Sequence, residues 1–196
     1  MADRYGNFEE LRQNEREGVD FRICLTPRNS PAAIIAPHGG EIEPGTSHIA
    51  SAVAGDRHDL YCFEGLRRRR HLDLHITSTN FDEPRCLETI SSCDVVISVH
   101  GIQGEEDAID VGGRDKELRD MISQELTNSG FPAQIVTTGS HAGTSRRNIC
   151  NRGRSGAGVQ IEITDSLRDS LVTRRQDLIA FANAVQLAVT ANTSAD

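Results

Sequence analysis

The sequence predicts a single α/β domain built on a mostly parallel or mixed twisted sheet with helices on both faces. Three observations carry that prediction. Short β-branched runs such as Ile34-Ile35-Ala36, Val95-Val96-Ile97-Ser98-Val99 and Val159-Gln160-Ile161-Glu162-Ile163 are bounded by turn formers, the pattern of buried strands. Segments with a helical apolar period separate them, which favours crossover connections over a run of hairpins. No internal repeat, low-complexity tract or linker divides the chain, so residues 1–196 read as one domain, long enough to bury a sizeable core.

In chain order, Phe8 to Arg16 reads as a short charged helix and Phe21 to Thr26 as a strand closed by Pro27. The strand ending at His38 follows, and Thr46 or Ser47 is placed to cap a helix running to about Ala54. Leu60 to Phe63 and the alternating Leu72-Leu74-Ile76 read as two more strands, and Pro84 to Ser91 as a helix with proline in its first turn. After the strand ending at His100 comes an acidic, glycine-bearing loop, then a helix from Lys116 to Asn128 with Gly130 as its stop. Ala133 to Thr137 reads as a strand. The stretch from Thr138 to Gly158 has neither period, and a loop of that length in a compact domain is functional or disordered. The strand around Glu162 precedes a long closing helix from Leu171 to Val189, with an apolar stripe at Leu171, Leu178, Phe181, Val185 and Val189.

Composition narrows the function. The chain has 37% apolar and 26% charged residues, as an ordinary globular protein does. A formal charge of −8, no tryptophan and only two tyrosines argue against nucleic acid as a partner. No segment reaches the ~18 apolar residues of a spanning helix, so no membrane partner is expected. The first residues lack the apolar core of a signal peptide, which reads as cytoplasmic synthesis, with release on lysis as the other route. Five cysteines, with no Cys-x-x-Cys spacing, read as structural thiols. The sequence leaves the oligomeric state open.

The chemistry gathers where strands end. His38 and His100 each stand where an apolar run breaks into glycine, and ligands of open α/β sheets collect outside the carboxyl ends of strands. With Glu41 three residues beyond His38, they supply the three His/Glu ligands of a hydrolytic zinc site holding one ion. Glu162 shares a strand face with Gln160 and Thr164 and suits the general base such a site requires. His75 reads as a hydrogen-bonded sheet histidine, and His141, in the long loop, is the first substitute should a ligand fail. Arg147, Asn151, Arg152 and Arg154 lie just before the Glu162 strand, where guanidinium groups would grip an anionic substrate.

Several segments together resemble the phage-type poly-γ-glutamate hydrolases, a family distantly similar to zinc carboxypeptidases. They are Pro37-His38-Gly39-Gly40-Glu41-Ile42-Glu43-Pro44-Gly45-Thr46, Leu74-His75-Ile76-Thr77-Ser78, Val99-His100-Gly101, Arg147-Asn148-Ile149-Cys150-Asn151-Arg152-Gly153 and Gly158 to Thr164. The resemblance runs from about Ala32 to Leu167. It implies a zinc-carboxypeptidase-like fold, His38, Glu41 and His100 as zinc ligands, Glu162 as the base, and internal cleavage of γ-glutamyl amide bonds in an anionic polymer. Asn151-Arg152 is similar to the carboxylate-binding step of carboxypeptidases. Two other readings stay open at this point. One is a small-molecule zinc amidohydrolase for N-acyl amino acids or short γ-glutamyl peptides; the other is a non-enzymatic phage replication accessory protein.

Overall fold

A computed structural model describes residues 3–193. These form a seven-stranded mixed sheet in the order β1-β3-β2-β4-β7-β5-β6. The strands are β1 (Phe21–Thr26), β2 (Ala32–Gly40), β3 (Asp59–Gly65), β4 (Val95–Ile102), β5 (Ile109–Gly113), β6 (Ala133–Ile135) and β7 (Val159–Thr164). The central four, β3, β2, β4 and β7, run parallel, while β1 and β5 lie antiparallel to their inner neighbours. The mixed α/β sheet read from sequence is the sheet observed.

Side-chain alternation sorts the strands onto two cores. Ile34, Ile97 and Ile161 face a layer made of α2 (Thr46–Ala54), α4 (Lys116–Asn128), α5 (Asp165–Thr173) and α6 (Arg175–Thr193). Ile35, Tyr61 and Phe63 face the other layer, made of α1 (Phe8–Asn14), α3 (Pro84–Ser91) and the segment from Leu74 to Phe81. The caps are local. Asn7 accepts from the Glu10 amide at 2.9 Å, Glu83 from Cys86 at 2.8 Å and Asp115 from Leu118 at 3.0 Å. Cys24 is half-buried, the other four cysteines are buried, and all five are free thiols. No helix among the described residues is long and apolar enough to cross a membrane.

Three elements differ from the sequence reading. Leu72 to Ile76 is no strand: His71–Leu74 forms a short 3-10 turn and His75 leaves it extended. The glycine-bearing loop contains β5, because Gly112 and Gly113 serve close packing rather than a turn. A Cβ on Gly112 would lie 2.5 Å from the Ala142 carbonyl oxygen, and one on Gly113 2.1 Å from that of Gly158. The closing helix breaks at Arg174, whose backbone is extended. The apolar stripe hides that break, because Leu171 of α5 and Leu178, Phe181, Val185 and Val189 of α6 pack on one sheet face.

Candidate metal centre

The centre lies at the carboxyl ends of β2, β4 and β7. A bulge in β2 aims its first residue. Ala36 stands opposite Cys62 and Gly39 opposite Glu64, so β2 carries one residue more than β3 between these pairs. Strict alternation would turn His38, like Ala36, toward α2; the extra residue turns it to the opposite face. Gly39 then points at α2, where a Cβ would lie 2.0 Å from Ser47 Oγ. On its new face His38 packs 4.1 Å from the His75 ring and edge-on to Phe81.

Glu43 reaches the same point through the turn that follows. Its amide donates back to the His38 carbonyl at 2.9 Å, and the Thr46 hydroxyl donates to the Glu43 carbonyl at 2.8 Å. Thr46 thus opens α2 as a buried brace for the turn, and Gly45 takes the cap position in the left-handed region (φ 93°). The Glu43 carboxylate lies 3.1 Å from His38 Nδ1 and 4.0 Å from His75 Nε2, and it accepts from the Gly101 amide at 2.8 Å. Ligand atoms of His38, Glu43 and His75 all fall within 4.8 Å of one another.

Both imidazoles are oriented to turn one nitrogen toward the centre. His38 Nε2–H donates to the Ile76 carbonyl at 2.8 Å, which leaves Nδ1 for the centre. His75 Nδ1–H donates to Asp3 at 2.7 Å, which leaves Nε2. His100 Nδ1 faces His38 Nδ1 at 3.2 Å and lies 3.8 Å from Glu43. Burial drives His100 down to about 3, so it is neutral, and burial together with His38 lowers His75. Burial alone would raise Glu43, but His38 and the Gly101 amide bring it down to about 2. Burial alone would lower His38, but Glu43 raises it, so the metal-free ring holds a proton toward Glu43. An ion that displaced that proton would meet neutral nitrogens and one ionised carboxylate, the donor chemistry of a hydrolytic zinc site. The residues present fit a single divalent ion.

Glu162 stands on β7 directly beside His100 on β4, and Asp110 on β5 stands on its other side. All three project to the face that carries His38. Burial first, then the charges of Glu43 and Asp110, push the Glu162 carboxyl up to about 8 against the pull of His38. Gln160 Nε2 donates to Glu162 Oε1 at 2.7 Å and is itself held by Asn148, whose amide donates to Gln160 Oε1 at 2.7 Å. His141 donates through Nδ1 to Asp110 at 2.8 Å, at the edge of this row rather than among the converging ligand atoms.

The structure therefore brings His38, His100 and Glu162 together, and it adds Glu43 and His75. It does not bring Glu41 to them. That side chain is 40% exposed and lies 3.6 Å from Arg68, on the far side of the turn. Of the loop residues, Arg147 (3.0 Å to Asn80 Oδ1) and Arg152 (3.2 Å to the Phe81 carbonyl) line a cavity of about 460 Å³ with Arg146. Asn151 is buried within its own loop, bonded to the carbonyls of Gly143 and Ser145 and to the Gly158 amide. Arg154 pairs with Asp94, before the start of β4; His100 lies six residues on, ~20 Å along a strand. Asn151 and Arg154 do not face the centre. A second cavity, of about 640 Å³, opens beside Glu43 and His75.

Residues 5–183 match the family described as poly-gamma-glutamate hydrolase. The chain belongs to the poly-γ-glutamate hydrolase family. The prophage-derived protein YoqZ of Bacillus subtilis (strain 168) is 42% identical over 168 residues. That match takes in 85% of this chain and 61% of YoqZ, so the chain spans about three fifths of that relative's length. A bacteriophage poly-γ-glutamate hydrolase structure superposes with a TM-score of 0.94 at 31% identity, covering 100% of both chains. A structure described as the zinc-free apo form of YndL superposes with a TM-score of 0.91 at 36% identity, covering 96% of this chain and 98% of its own. The fold alone is shared with a metallo-carboxypeptidase from Burkholderia cenocepacia (TM-score 0.51, 9% identity, 89% of this chain and 61% of that one).

Proposed function

We propose that this member of the poly-γ-glutamate hydrolase family is a zinc-dependent hydrolase of γ-glutamyl amide bonds. In this reading His38 Nδ1, Glu43 and His100 Nδ1 hold the ion, with His75 beside them, and Glu162 is the base. The observation that carries it is the convergence of those three ligand groups, 3.1, 3.2 and 3.8 Å apart, beside a buried glutamate on the neighbouring strand. A zinc ion held there would supply Lewis acidity toward water and the scissile carbonyl. Glu162 takes the proton of the attacking water and delivers it to the departing amine nitrogen. Gln160 holds Oε1 of Glu162, which leaves Oε2 to face the water. Arg147 and Arg152 hold a carboxylate of a neighbouring glutamyl unit.

The cavity beside Glu43 and the separate arginine-lined cavity suit an extended anionic chain, as internal cleavage requires. Zinc-loaded protein incubated with poly-γ-glutamate is expected to lower the polymer's mass distribution as a whole, read by size-exclusion chromatography. Free glutamate released before any shortening would favour terminal attack on small γ-glutamyl peptides. Unchanged polymer with a fully metallated protein would rule the substrate out.

The arginines give a separate prediction. A hydrogen bond to a charged group contributes about 1.5–3 kcal/mol, so Arg147→Ala or Arg152→Ala is expected to raise KM about ten- to a hundredfold. Arg154→Ala is expected to leave KM where it is. Steady-state kinetics on the polymer separate these, and an equal effect from all three would remove the carboxylate subsite.

A further inference from the structure

We propose that Arg168, on α5, is the positioning residue that pins together the segments carrying Glu43, His100 and Glu162. The role rests on the metal reading above. Arg168 is 6% exposed, and among the described residues it forms no ion pair; its guanidinium donates to backbone carbonyls instead. Nε reaches the Pro44 carbonyl at 2.8 Å, and Nη1 reaches the Ile163 carbonyl at 2.7 Å and, at a longer 3.4 Å, that of Ile102. Pro44 follows Glu43, Ile163 follows Glu162, and Ile102 stands two residues beyond His100. One side chain thus ties the backbone beside two ligands and the base. His38 is drawn in through the turn, since the Glu43 amide donates to its carbonyl at 2.9 Å.

A guanidinium suits this place as no other side chain does. Its planar fork sends Nε–H and Nη1–H in fixed, different directions, whereas an ammonium is a point charge on a flexible stem. Burying a cation is costly; here burial pulls the pKa of Arg168 down, and the charge of Glu43 opposes that pull. The fit against β4 is close. A Cβ on Gly101 would lie 2.0 Å from Arg168 Nη1, so the absence of a side chain there lets the guanidinium lie on the strand. The amide of the same Gly101 holds Glu43 at 2.8 Å. Arg168 also borders the cavity of about 640 Å³ beside Glu43, which makes direct contact with substrate the rival role.

Zinc affinity by competition with a chromophoric chelator, and kinetics of the zinc-saturated full chain on poly-γ-glutamate, separate the two. Arg168→Met keeps an unbranched side chain and removes the donors. It is expected to bind zinc about 10–100-fold more weakly and to lose about a hundredfold in kcat, the cost of a ~1 Å misplacement, with KM unchanged. Arg168→Lys keeps the charge but not the fork, and it is expected to behave as Arg168→Met does. Leu171→Ala, three residues on in α5, removes a buried core side chain and is expected to lose stability while keeping zinc affinity and kcat. Wild-type zinc affinity in Arg168→Met would overturn the role, as would full recovery in Arg168→Lys or an equal loss in Leu171→Ala. A rise in KM at unchanged kcat would also overturn it, because Arg168 would then be a substrate contact. Wild type that binds zinc and leaves the polymer uncut would overturn the substrate reading alone, and zinc affinity would still decide this role. Wild type that takes up no zinc would overturn the metal reading and this role with it. Should Arg168→Met fail to fold, hydrogen exchange at Arg168 Nε–H of the wild type, read by NMR, decides. Protection is expected, and exchange as fast as that of a solvated guanidinium would overturn the proposal.

Discussion

Glu43→Gln is expected to lose zinc on dialysis and with it all cutting of the polymer, whereas Glu41→Gln keeps both. The two glutamates are two residues apart in one turn and equally able to bind a cation as chemical groups. Their surroundings decide between them. Glu43 is ionised inside the protein, held by the Gly101 amide at 2.8 Å and facing His38 Nδ1 at 3.1 Å. Glutamine would still accept from Gly101 but would bring no charge to two neutral imidazoles, and the ion would lose its one anionic partner. Removing a ligand must cost more than removing a group behind a ligand, which already weakens binding about 10–100-fold. Glu41 is screened by solvent and loosely paired with Arg68, an arrangement that contributes little. Metal content per chain after dialysis, beside polymer shortening with zinc restored, reads both variants. Zinc retained by Glu43→Gln and lost by Glu41→Gln would reverse the assignment.

That contrast shows where the sequence was legible. The strands carrying His38, His100 and Glu162 announce themselves by β-branched runs, and the parity of β4 and β7 alone places His100 and Glu162 on one face. The β2 bulge is silent in sequence, because Pro37-His38-Gly39-Gly40 reads as a strand end whether or not a residue is inserted. Glu43 was hidden for a related reason. A motif of histidine and glutamate three apart points to Glu41, but the turn folds back only at the fifth residue, where Pro44 and Gly45 end it. Those two residues were the available signal. His75 was masked by chance alternation of Leu72, Leu74 and Ile76, a strand pattern that serves here to bury Leu74 and Ile76 beneath an extended loop. Arg152 and Arg154 look equivalent as neighbours in a basic loop, yet one lines the cavity with Arg147 and the other pairs with Asp94 at the far end of β4. Contacts such as Asp3 with His75, 72 residues apart, leave no local trace.

Glu162→Gln is expected to lower kcat on the polymer by about 10²–10⁴-fold while zinc stays bound, since general base catalysis is worth that much and the residue is not a ligand. The same substitution changes stability with a definite sign. In the metal-free protein the carboxyl titrates near 8 rather than near 4.5, because it is buried beside Glu43 and Asp110. The folded state therefore binds a proton that the unfolded chain releases. Stability from this group is full below the ordinary carboxylate range and is lost as pH rises from there toward 8. Glutamine carries no such charge. Metal-free Glu162→Gln is thus expected to gain in melting temperature over wild type as pH rises, with the difference growing up to about 8 and flat beyond it. Zinc adds a positive charge next to the carboxylate and lowers its pKa, which puts the acid limb of kcat/KM in the loaded enzyme below that value. A variant that cuts normally would remove Glu162 from the reaction. A stability difference that does not vary with pH would instead show that the carboxylate is not buried against its neighbours as described.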